Sequence, residues 1–265
     1  CAAVHRPERR AEEDVWRTDE EALAPPGELD ERVPALERRR ERLLDEHVLS
    51  RLERHARQLS VLVHAGENED DVDVIQARIA ERLQVSRPAV SEMMKRLEAE
   101  GLITSDDGIR LTDDGRRLGE RVVRRHRLAE VFLTEVLKLS WAEAHHEAGK
   151  WEHIMSDSVE RALNDLLGEP TTCPHGNPIP GSDYEAPDSA PLSDVAVGHA
   201  FTVRRITEEL EFEPGLLEFL EASAIQPGNR GIVTAASPDG TLTVEIDGRH
   251  VGVGSFASER ILVTS

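Results

Sequence analysis

The stretch VSRPAVSEMMKRLEAEGLI, residues 85–103, decides the fold of the part of the chain around it. Ser86 is a favoured N-cap residue, and Pro88 stands where the first turn of a helix would lie. Gly101 follows the last apolar position and is typical of a helix end. The apolar residues recur at helical spacing and predict a buried stripe of Val90, Met93, Met94 and Leu97. The stretch therefore predicts an amphipathic helix.

The flanking segments predict a winged helix-turn-helix. Residues 74–85, VIQARIAERLQV, have the pattern of a short amphipathic helix with Ile75, Ile79 and Leu83 on one face. Residues 102–112, LITSDDGIRLT, predict a hairpin of two short strands around an Asp-Asp-Gly turn. An earlier helix is indicated over residues 48–63 by the spacing of its leucines. Helix, turn, helix and hairpin in this order define the winged fold.

The second helix of such a motif lies in the major groove of DNA, with its first residues at the base edges. The predicted base-reading residues are Ser86, Arg87, Pro88, Ala89, Ser91 and Glu92. The predicted contacts to the DNA backbone are Arg78, Lys95, Arg96 and, on the hairpin, Arg110. The alternative is a winged helix that contacts protein.

The chain is acidic, but the acidity is uneven. Its formal net charge of -20 argues against nonspecific polyanion binding by the whole chain. Residues 75–130 contain 12 Lys and Arg against 10 Asp and Glu, a balance of +2. The acidic total therefore does not exclude a DNA-binding module.

The sequence predicts a cytoplasmic protein. It has no run of apolar residues long enough to span a membrane and no apolar signal-peptide core near its start. Its two cysteines, Cys1 and Cys173, are too far apart to form a disulfide framework, which fits a reducing compartment. The start at Cys1 fits a truncated or unusual gene start better than a processed lipoprotein.

The predicted fold class is mainly α with a small β part. Residues 1–45 are densely charged and predict a disordered extension, and residues 46–114 form the winged domain. Residues 115–181 predict a helical domain, with helices capped by Asp113 or Asp114, by Ser140 with Glu143, and by Ser156 or Asp157. Residues 182–196 predict a linker, the end of a Pro- and Gly-rich segment whose first half is packed. Residues 197–265 contain short β-type runs between turns and predict a five-stranded SH3-like barrel.

The helical domain concentrates metal-ligating side chains. His126 and Glu130 are four residues apart and share one helical face, as do His145, Glu152 and His153 on the next predicted helix. Two neighbouring helices would bring all five together. Such nitrogen and oxygen ligands suit Mn(II), Fe(II), Co(II), Ni(II) or Zn(II). The alternative is a solvated face on which these side chains pair with nearby arginines.

Three motifs resemble the diphtheria toxin repressor family of iron- and manganese-dependent repressors. They are RRHRLAEVFLTEVL (124–137), WAEAHHEAGKWEHIMSDSVERAL (141–163) and GNPIPG (176–181). The predicted DNA-binding helices resemble the same family, and the C-terminal part resembles its FeoA-like third domain more weakly.

The resemblance implies a homodimer that binds a pseudo-palindromic operator when loaded with Mn(II) or Fe(II), repressing metal-homeostasis genes. His126, Glu130 and His145 match the family's ancillary metal position, and Glu152 and His153 match its primary position. Glu213 falls where the third domain of some members adds a carboxylate, and Leu216 where they add a glutamine. A ligand set of histidine and carboxylate modestly favours Mn(II) over Fe(II).

Two departures from the family pattern leave an alternative open. The family has Cys or Glu where this chain has Gly149, which has no side chain. Its first-helix ligand also has no match in residues 48–63, where Glu53 or His55 could substitute, and His146 is a further candidate donor. The alternative is a metal-insensitive regulator of the same fold. An enzyme is disfavoured, because the sequence has no His-Glu-x-x-His motif and no nucleophile-base set.

Overall fold

The first described domain is built around the predicted recognition helix. The computed structural model describes residues 79–80, 85–105 and 108–265. Helix α1 (Arg87–Ala99) begins after Ser86, whose side chain accepts a hydrogen bond from the Ala89 amide. Gly101 follows it with a φ of 71°. Strands β1 (Ile103–Thr104) and β2 (Arg110–Leu111) pair antiparallel as the wing. These elements confirm the predicted helix and hairpin.

The core of this domain contains the predicted stripe of α1. The buried set is Ile79, Val90, Met93, Met94, Leu97, Leu102, Ile103 and Leu118. Ile79 and Ala80 are helical, as predicted for that segment. The extension over residues 1–45, the helix over residues 48–63 and most of the helix over residues 74–85 lie outside the described residues.

A single long helix, α2 (Asp113–Glu135), follows the wing in the chain. Its N-cap is Thr112, not Asp113 or Asp114, because the Thr112 hydroxyl accepts a hydrogen bond from the Gly115 amide at 3.1 Å. The two aspartates lie in the first turn, where negative charge favours the helix dipole. Its 23 residues run without a break over about 35 Å.

Two shorter helices pack beside α2. Helix α3 (Trp141–Trp151) has the predicted capping box of Ser140 and Glu143, and α4 (Asp157–Leu166) is capped by Ser156. Their shared core contains Ala129, Leu133, Ala144, Ala148, Met155 and Leu163. None of the helices in the described ranges is both long and apolar enough to cross a membrane.

The C-terminal part is a six-stranded antiparallel sheet in the order β3-β8-β4-β5-β6-β7. The strands are β3 (Ala190–Pro191), β4 (Ala200–Ile206), β5 (Arg230–Ala236), β6 (Leu242–Ile246), β7 (Arg249–Val253) and β8 (Ile261–Thr264). Short helices α5 (Glu208–Glu211), α6 (Leu216–Ala222) and α7 (Ser255–Ser258) and a 3₁₀ turn (Leu192–Asp194) complete it.

The prediction of a five-stranded barrel was wrong in two respects. The sheet has six strands and is not closed, because β3 and β7 remain its two edges. The sixth strand comes from residues assigned to the linker 182–196, where Pro191 fits an edge strand. The core of this domain includes Trp141, so the start of α3 packs against the sheet domain.

Candidate metal centre

Glu130 of α2 is the centre of a cluster of ionisable side chains. Its side chain is 1% exposed, and its Oε1 lies 3.1 Å from His126 Nε2 and 2.9 Å from His145 Nδ1. His126 lies one turn earlier on α2, and His145 comes from α3. The structure thus brings together the three residues predicted for the ancillary position.

The predicted primary-position residues extend this cluster. Glu152, at the C-cap of α3, places its Oε2 2.7 Å from His126 Nδ1. His153 Nε2 lies 3.2 Å from the other oxygen of Glu152. The two imidazole nitrogens of His126 therefore connect the two predicted metal positions directly.

The arginines nearest to the cluster on α2 have other partners. Arg124 Nε and Arg125 Nε bind the two carboxylate oxygens of Glu160 on α4, at 3.1 and 2.9 Å. This pairing joins α2 to α4 and leaves Glu130 facing histidines.

The cluster also contains three further donors, which the sequence analysis did not select. Cys173 and His175, on the segment after α4, and Glu211, at the end of α5, are all buried. His175 Nδ1 lies 3.1 Å from Glu211 Oε1, 3.7 Å from Glu130 Oε1 and 3.8 Å from Cys173 Sγ. Glu211 Oε2 lies 3.5 Å from His145 Nδ1. The available signal was the Cys-x-His pair within a segment interpreted as packed.

The GNPIPG motif positions Glu211. The amide of Asn177, a fully buried residue, donates to Glu211 Oε1 at 2.6 Å and to the Ile206 carbonyl at 2.9 Å. Gly176 has a φ of 84°, and a Cβ there would lie 2.2 Å from the Arg204 carbonyl oxygen. Only glycine therefore lets this loop approach β4 closely enough for Asn177 to reach the carboxylate.

Arginines of α2 fix the other end of the motif. Arg127 donates to the carbonyl of Pro178, and Arg124 Nη1 donates to that of Pro180 at 2.9 Å. The loop thus joins α2 to the sheet domain beside the cluster.

Glu213 does not lie in the cluster. Its side chain is exposed, whereas Glu211 two residues earlier faces His145 and His175. Helix α5 ends at Glu211, and the turn that follows carries Glu213 outward before Gly215, with a φ of 77°, starts α6. The carboxylate contributed by the sheet domain is therefore Glu211.

Histidines and carboxylates in the cluster shift one another's pKa values. Burial alone would lower the pKa of His126, but the carboxylates of Glu130 and Glu152 outweigh burial and raise that pKa well above its ordinary value. Burial likewise lowers the pKa of His175, and Glu211 and Glu130 raise it further than burial lowers it. Burial would raise the pKa of Glu130, yet His126 and His175 hold it well below its ordinary value. Metal binding here would displace protons from the histidines.

The residues fit a divalent transition metal. Two groups have their donor atoms within 4.8 Å of one another: His126, Glu130 and His145, and Glu130, Cys173 and His175. Glu130 Oε2 is buried and has no hydrogen-bond partner among the described residues. A buried carboxylate oxygen is costly without a partner, and a metal ion would supply one.

The predicted DNA-contacting side chains are accessible to a partner. Every one within the described residues is exposed: Ser86, Arg87, Pro88, Ala89, Ser91, Glu92, Lys95, Arg96 and Arg110. Arg78 lies outside the described residues. The Ser86 oxygen caps α1 by accepting from the Ala89 amide, and its hydroxyl hydrogen remains available to donate to DNA.

Gly149 lies on α3, three residues before Glu152. A Cβ built at Gly149 meets no described atom within 4 Å, so the position accepts a side chain. Glycine inside a helix costs about 1 kcal/mol relative to alanine, and here packing does not require it.

Replacing Gly149 with glutamate is expected to tighten metal binding at Glu152 and His153, because the new carboxylate follows the same helical face. Isothermal titration with Mn(II) measures the change, with Gly149→Ala as the control that restores helix propensity without a ligand. An affinity of Gly149→Glu no higher than that of Gly149→Ala would contradict the placement of residue 149 at this position.

A winged helix joined by one long helix to a buried set of metal donors defines a metal-binding, DNA-binding regulator. Matching family models support each part. Residues 112–181 match the iron dependent repressor metal binding and dimerisation domain, residues 49–117 the MarR family and residues 190–265 the FeoA domain.

Comparison with whole proteins extends these matches. The chain is 39% identical over 195 residues to the iron-dependent repressor IdeR of Mycobacterium tuberculosis, covering 69% of this chain and 84% of that one. It is 37% identical to the diphtheria toxin repressor of Corynebacterium diphtheriae, covering 69% and 85%. A solved manganese-dependent transcriptional repressor in complex with manganese is 34% identical, with a TM-score of 0.70 over 79% of this chain and 99% of that one. The chain belongs to the diphtheria toxin repressor family of metal-dependent transcriptional repressors.

Proposed function

We propose that this chain is a cytoplasmic transcriptional repressor of metal-homeostasis genes, activated for operator binding by Mn(II) or Fe(II) and acting as a homodimer. Its relatives are repressors rather than enzymes, and one was solved with manganese. The observation that carries the proposal is the path from the metal centre to the DNA-reading helix along α2.

Helix α2 belongs to both regions. Leu118, near its start, packs in the same core as Val90 and Met94 of α1. Three turns later, Glu130 is the centre of the donor cluster. Because a continuous helix transmits rotation and translation along its axis, a change of packing around Glu130 alters the position of α1.

The metal would supply positive charge that holds α2, α3 and the sheet domain together through their shared donors. His126 and Glu130 lie on α2, His145 on α3 and Glu211 on α5 of the sheet domain. A state in which these donors converge binds metal more tightly than one in which they are apart. Metal therefore shifts the population towards the converged state, which we assign as the DNA-binding one.

Exposed apolar side chains on the helical domain support a dimer. Ile154 is 82% exposed, Leu166 67% and Val159 48%, and all three lie on or just before α4. Large apolar side chains exposed together mark a contact surface for another protein. We assign a second copy of the chain to this surface, because a dimeric helix-turn-helix protein reads two half-sites.

The donor types bear on the choice of metal. The predicted ligands were histidine and carboxylate alone, which lean towards Mn(II). Cys173 adds a softer sulfur donor at 3.8 Å from His175. Because thiolate favours Fe(II) over Mn(II), a donor set that includes Cys173 no longer favours Mn(II).

Operator binding with and without metal tests the proposal. A duplex selected from a random library in the presence of Mn(II) is titrated with protein in Mn(II), in Fe(II) under anaerobic conditions, and in EDTA, with binding followed by fluorescence anisotropy. We expect at least tenfold tighter binding with metal. Equal affinity in EDTA would instead favour the metal-insensitive regulator.

A further inference from the structure

The end of the recognition helix leaves main-chain oxygens that the helix itself does not use. After α1, the Gly101 amide donates to the Glu98 carbonyl and the Leu102 amide donates to the Leu97 carbonyl, both at 2.9 Å. These bonds, with a φ of 71° at Gly101, close the end of the helix. The carbonyls of Gly101 and Leu102 lie beyond it, so their donors have to come from another part of the chain.

Thr112 satisfies both of these carbonyls. Its hydroxyl donates to the Gly101 carbonyl at 2.7 Å, and its amide donates to the Leu102 carbonyl at 3.0 Å. The same hydroxyl oxygen accepts from the Gly115 amide at 3.1 Å and thereby caps α2. Because a hydroxyl can donate and accept at once, one side chain joins the end of α1 to the start of α2.

Gly115 brings the two helices into main-chain contact at this point. A Cβ at Gly115 would lie 2.0 Å from the carbonyl oxygen of Leu102 and 2.9 Å from its carbonyl carbon. No side chain fits there, so the first turn of α2 lies directly against the main chain that follows α1. Leu102 is buried and shares the core of the winged domain with Leu118 of α2. Hydrogen bonds and apolar packing therefore fix α2 to α1 at the same place.

The wing is attached to the same point. Ile103 pairs with Leu111 in the antiparallel ladder of β1 and β2, and the bond from the Thr112 amide to the Leu102 carbonyl extends that ladder. The recognition helix, the wing and α2 thus meet at one place. Their relative orientation is set by main-chain contacts, which a change of side-chain rotamer does not loosen.

We propose that Thr112, supported by Gly115, is a positioning residue for metal-activated operator binding, because it makes α1 and the wing move with the start of α2 as one rigid body. Glu130 and the metal donors lie towards the other end of the same helix. A displacement of α2 at the metal centre therefore reaches α1 through this joint. The inference rests on the proposed function, and it adds the residue through which metal activation reaches the DNA-reading helix.

Thr112→Val tests the inference, because valine keeps the branched shape of threonine but lacks the hydroxyl that donates and accepts in this joint. We expect Mn(II) affinity to stay within twofold of the wild-type value, since no metal donor changes. The ratio of operator affinity in Mn(II) to that in EDTA is expected to fall from at least tenfold to below threefold. Isothermal titration measures the first quantity, and fluorescence anisotropy with the full chain measures the second.

Two variants separate this coupling from a general loss of stability. Thr112→Ser restores the hydroxyl and is expected to retain the wild-type ratio. Thr134→Val removes a hydroxyl that donates to the Glu130 carbonyl at 2.8 Å, and it is expected to leave the ratio unchanged because this bond lies within one helix. A Thr112→Val protein with the full wild-type ratio would overturn the inference, as would an equal loss in Thr134→Val.

Hydrogen exchange of the wild-type chain tests the joint without a substitution, and it applies even if the Thr112→Val protein does not fold. The amides of Leu102, Thr112 and Gly115 are the reporters, and the amide of Met94, inside α1, is the reference. A joint that transmits motion stays closed in both states. Removing Mn(II) should therefore change the protection of the reporters and of the reference by the same factor, within threefold. A larger loss at the reporters would overturn the inference, because the joint would then open instead of moving α1.

The wild-type titration separates this inference from the proposed function. Equal operator affinity in Mn(II) and in EDTA for the wild-type chain would refute metal-activated repression, and hydrogen exchange would still decide whether the joint is rigid. A wild-type metal response that survives in Thr112→Val would refute the positioning role alone.

Discussion

Replacing Glu130 with alanine is expected to weaken Mn(II) binding in the cluster by at least a hundredfold, about 2.8 kcal/mol, and to abolish metal-stimulated operator binding. The reason is geometric: Glu130 is 1% exposed and is the one carboxylate common to both donor groups. Its loss also leaves His126, His145 and His175 facing one another. Isothermal titration with Mn(II) and anisotropy on operator DNA measure the two effects.

Glu135→Ala is the matched control, because this glutamate lies at the exposed end of the same helix. Since truncating a buried ion pair often destabilises a protein, Glu130→Gln provides a second variant of unchanged shape. Retention of Mn(II) affinity within threefold in a folded Glu130→Gln variant would contradict the central role assigned to this carboxylate.

Replacing both Lys95 and Arg96 with alanine is expected to reduce operator affinity by tenfold to a hundredfold at moderate salt. Both side chains are exposed on α1, on the surface assigned to the DNA backbone. Phosphate contacts release counterions, so the slope of log affinity against log salt should also fall by about 1.8. Metal binding should be unchanged, since neither residue lies in the cluster.

The control for this variant removes the same charge elsewhere. Arg230 and Arg249, exposed on β5 and β7, are replaced with alanine together. An equal loss of affinity in the control would show that net charge, rather than the α1 surface, determines binding.

Local sequence rules predicted the helices well and the sheet less well. Ser86, Ser140 with Glu143, and Gly101 mark helix ends through backbone hydrogen bonds made within a few residues, so they are readable without tertiary contacts. Strand β3 has two residues, one of them Pro191, and forms only because β8 pairs with it. Such pairing joins distant segments and leaves no local pattern.

Local sequence patterns likewise predicted one part of the metal centre and missed another. His126 and Glu130 share a helical face by spacing alone, and the structure places them 3.1 Å apart. Cys173 and His175 directly precede the GNPIPG loop, and Glu211 is held by Asn177 of that loop, whose path depends on Gly176 approaching β4. Glu213 was selected from the family resemblance, and Glu211 lies two residues earlier in the same acidic run, so only the end of α5 in the structure distinguishes them.

The most direct test of the account is reciprocal linkage between metal and operator. If metal and DNA select the same arrangement of α2, saturating operator must raise Mn(II) affinity by the same factor by which Mn(II) raises operator affinity. We expect that factor to lie between about 5 and 150, measured by competition with a fluorescent chelator in the presence and absence of DNA. An Mn(II) affinity that operator DNA leaves unchanged would contradict the account, because the metal centre and the recognition helix would then be independent.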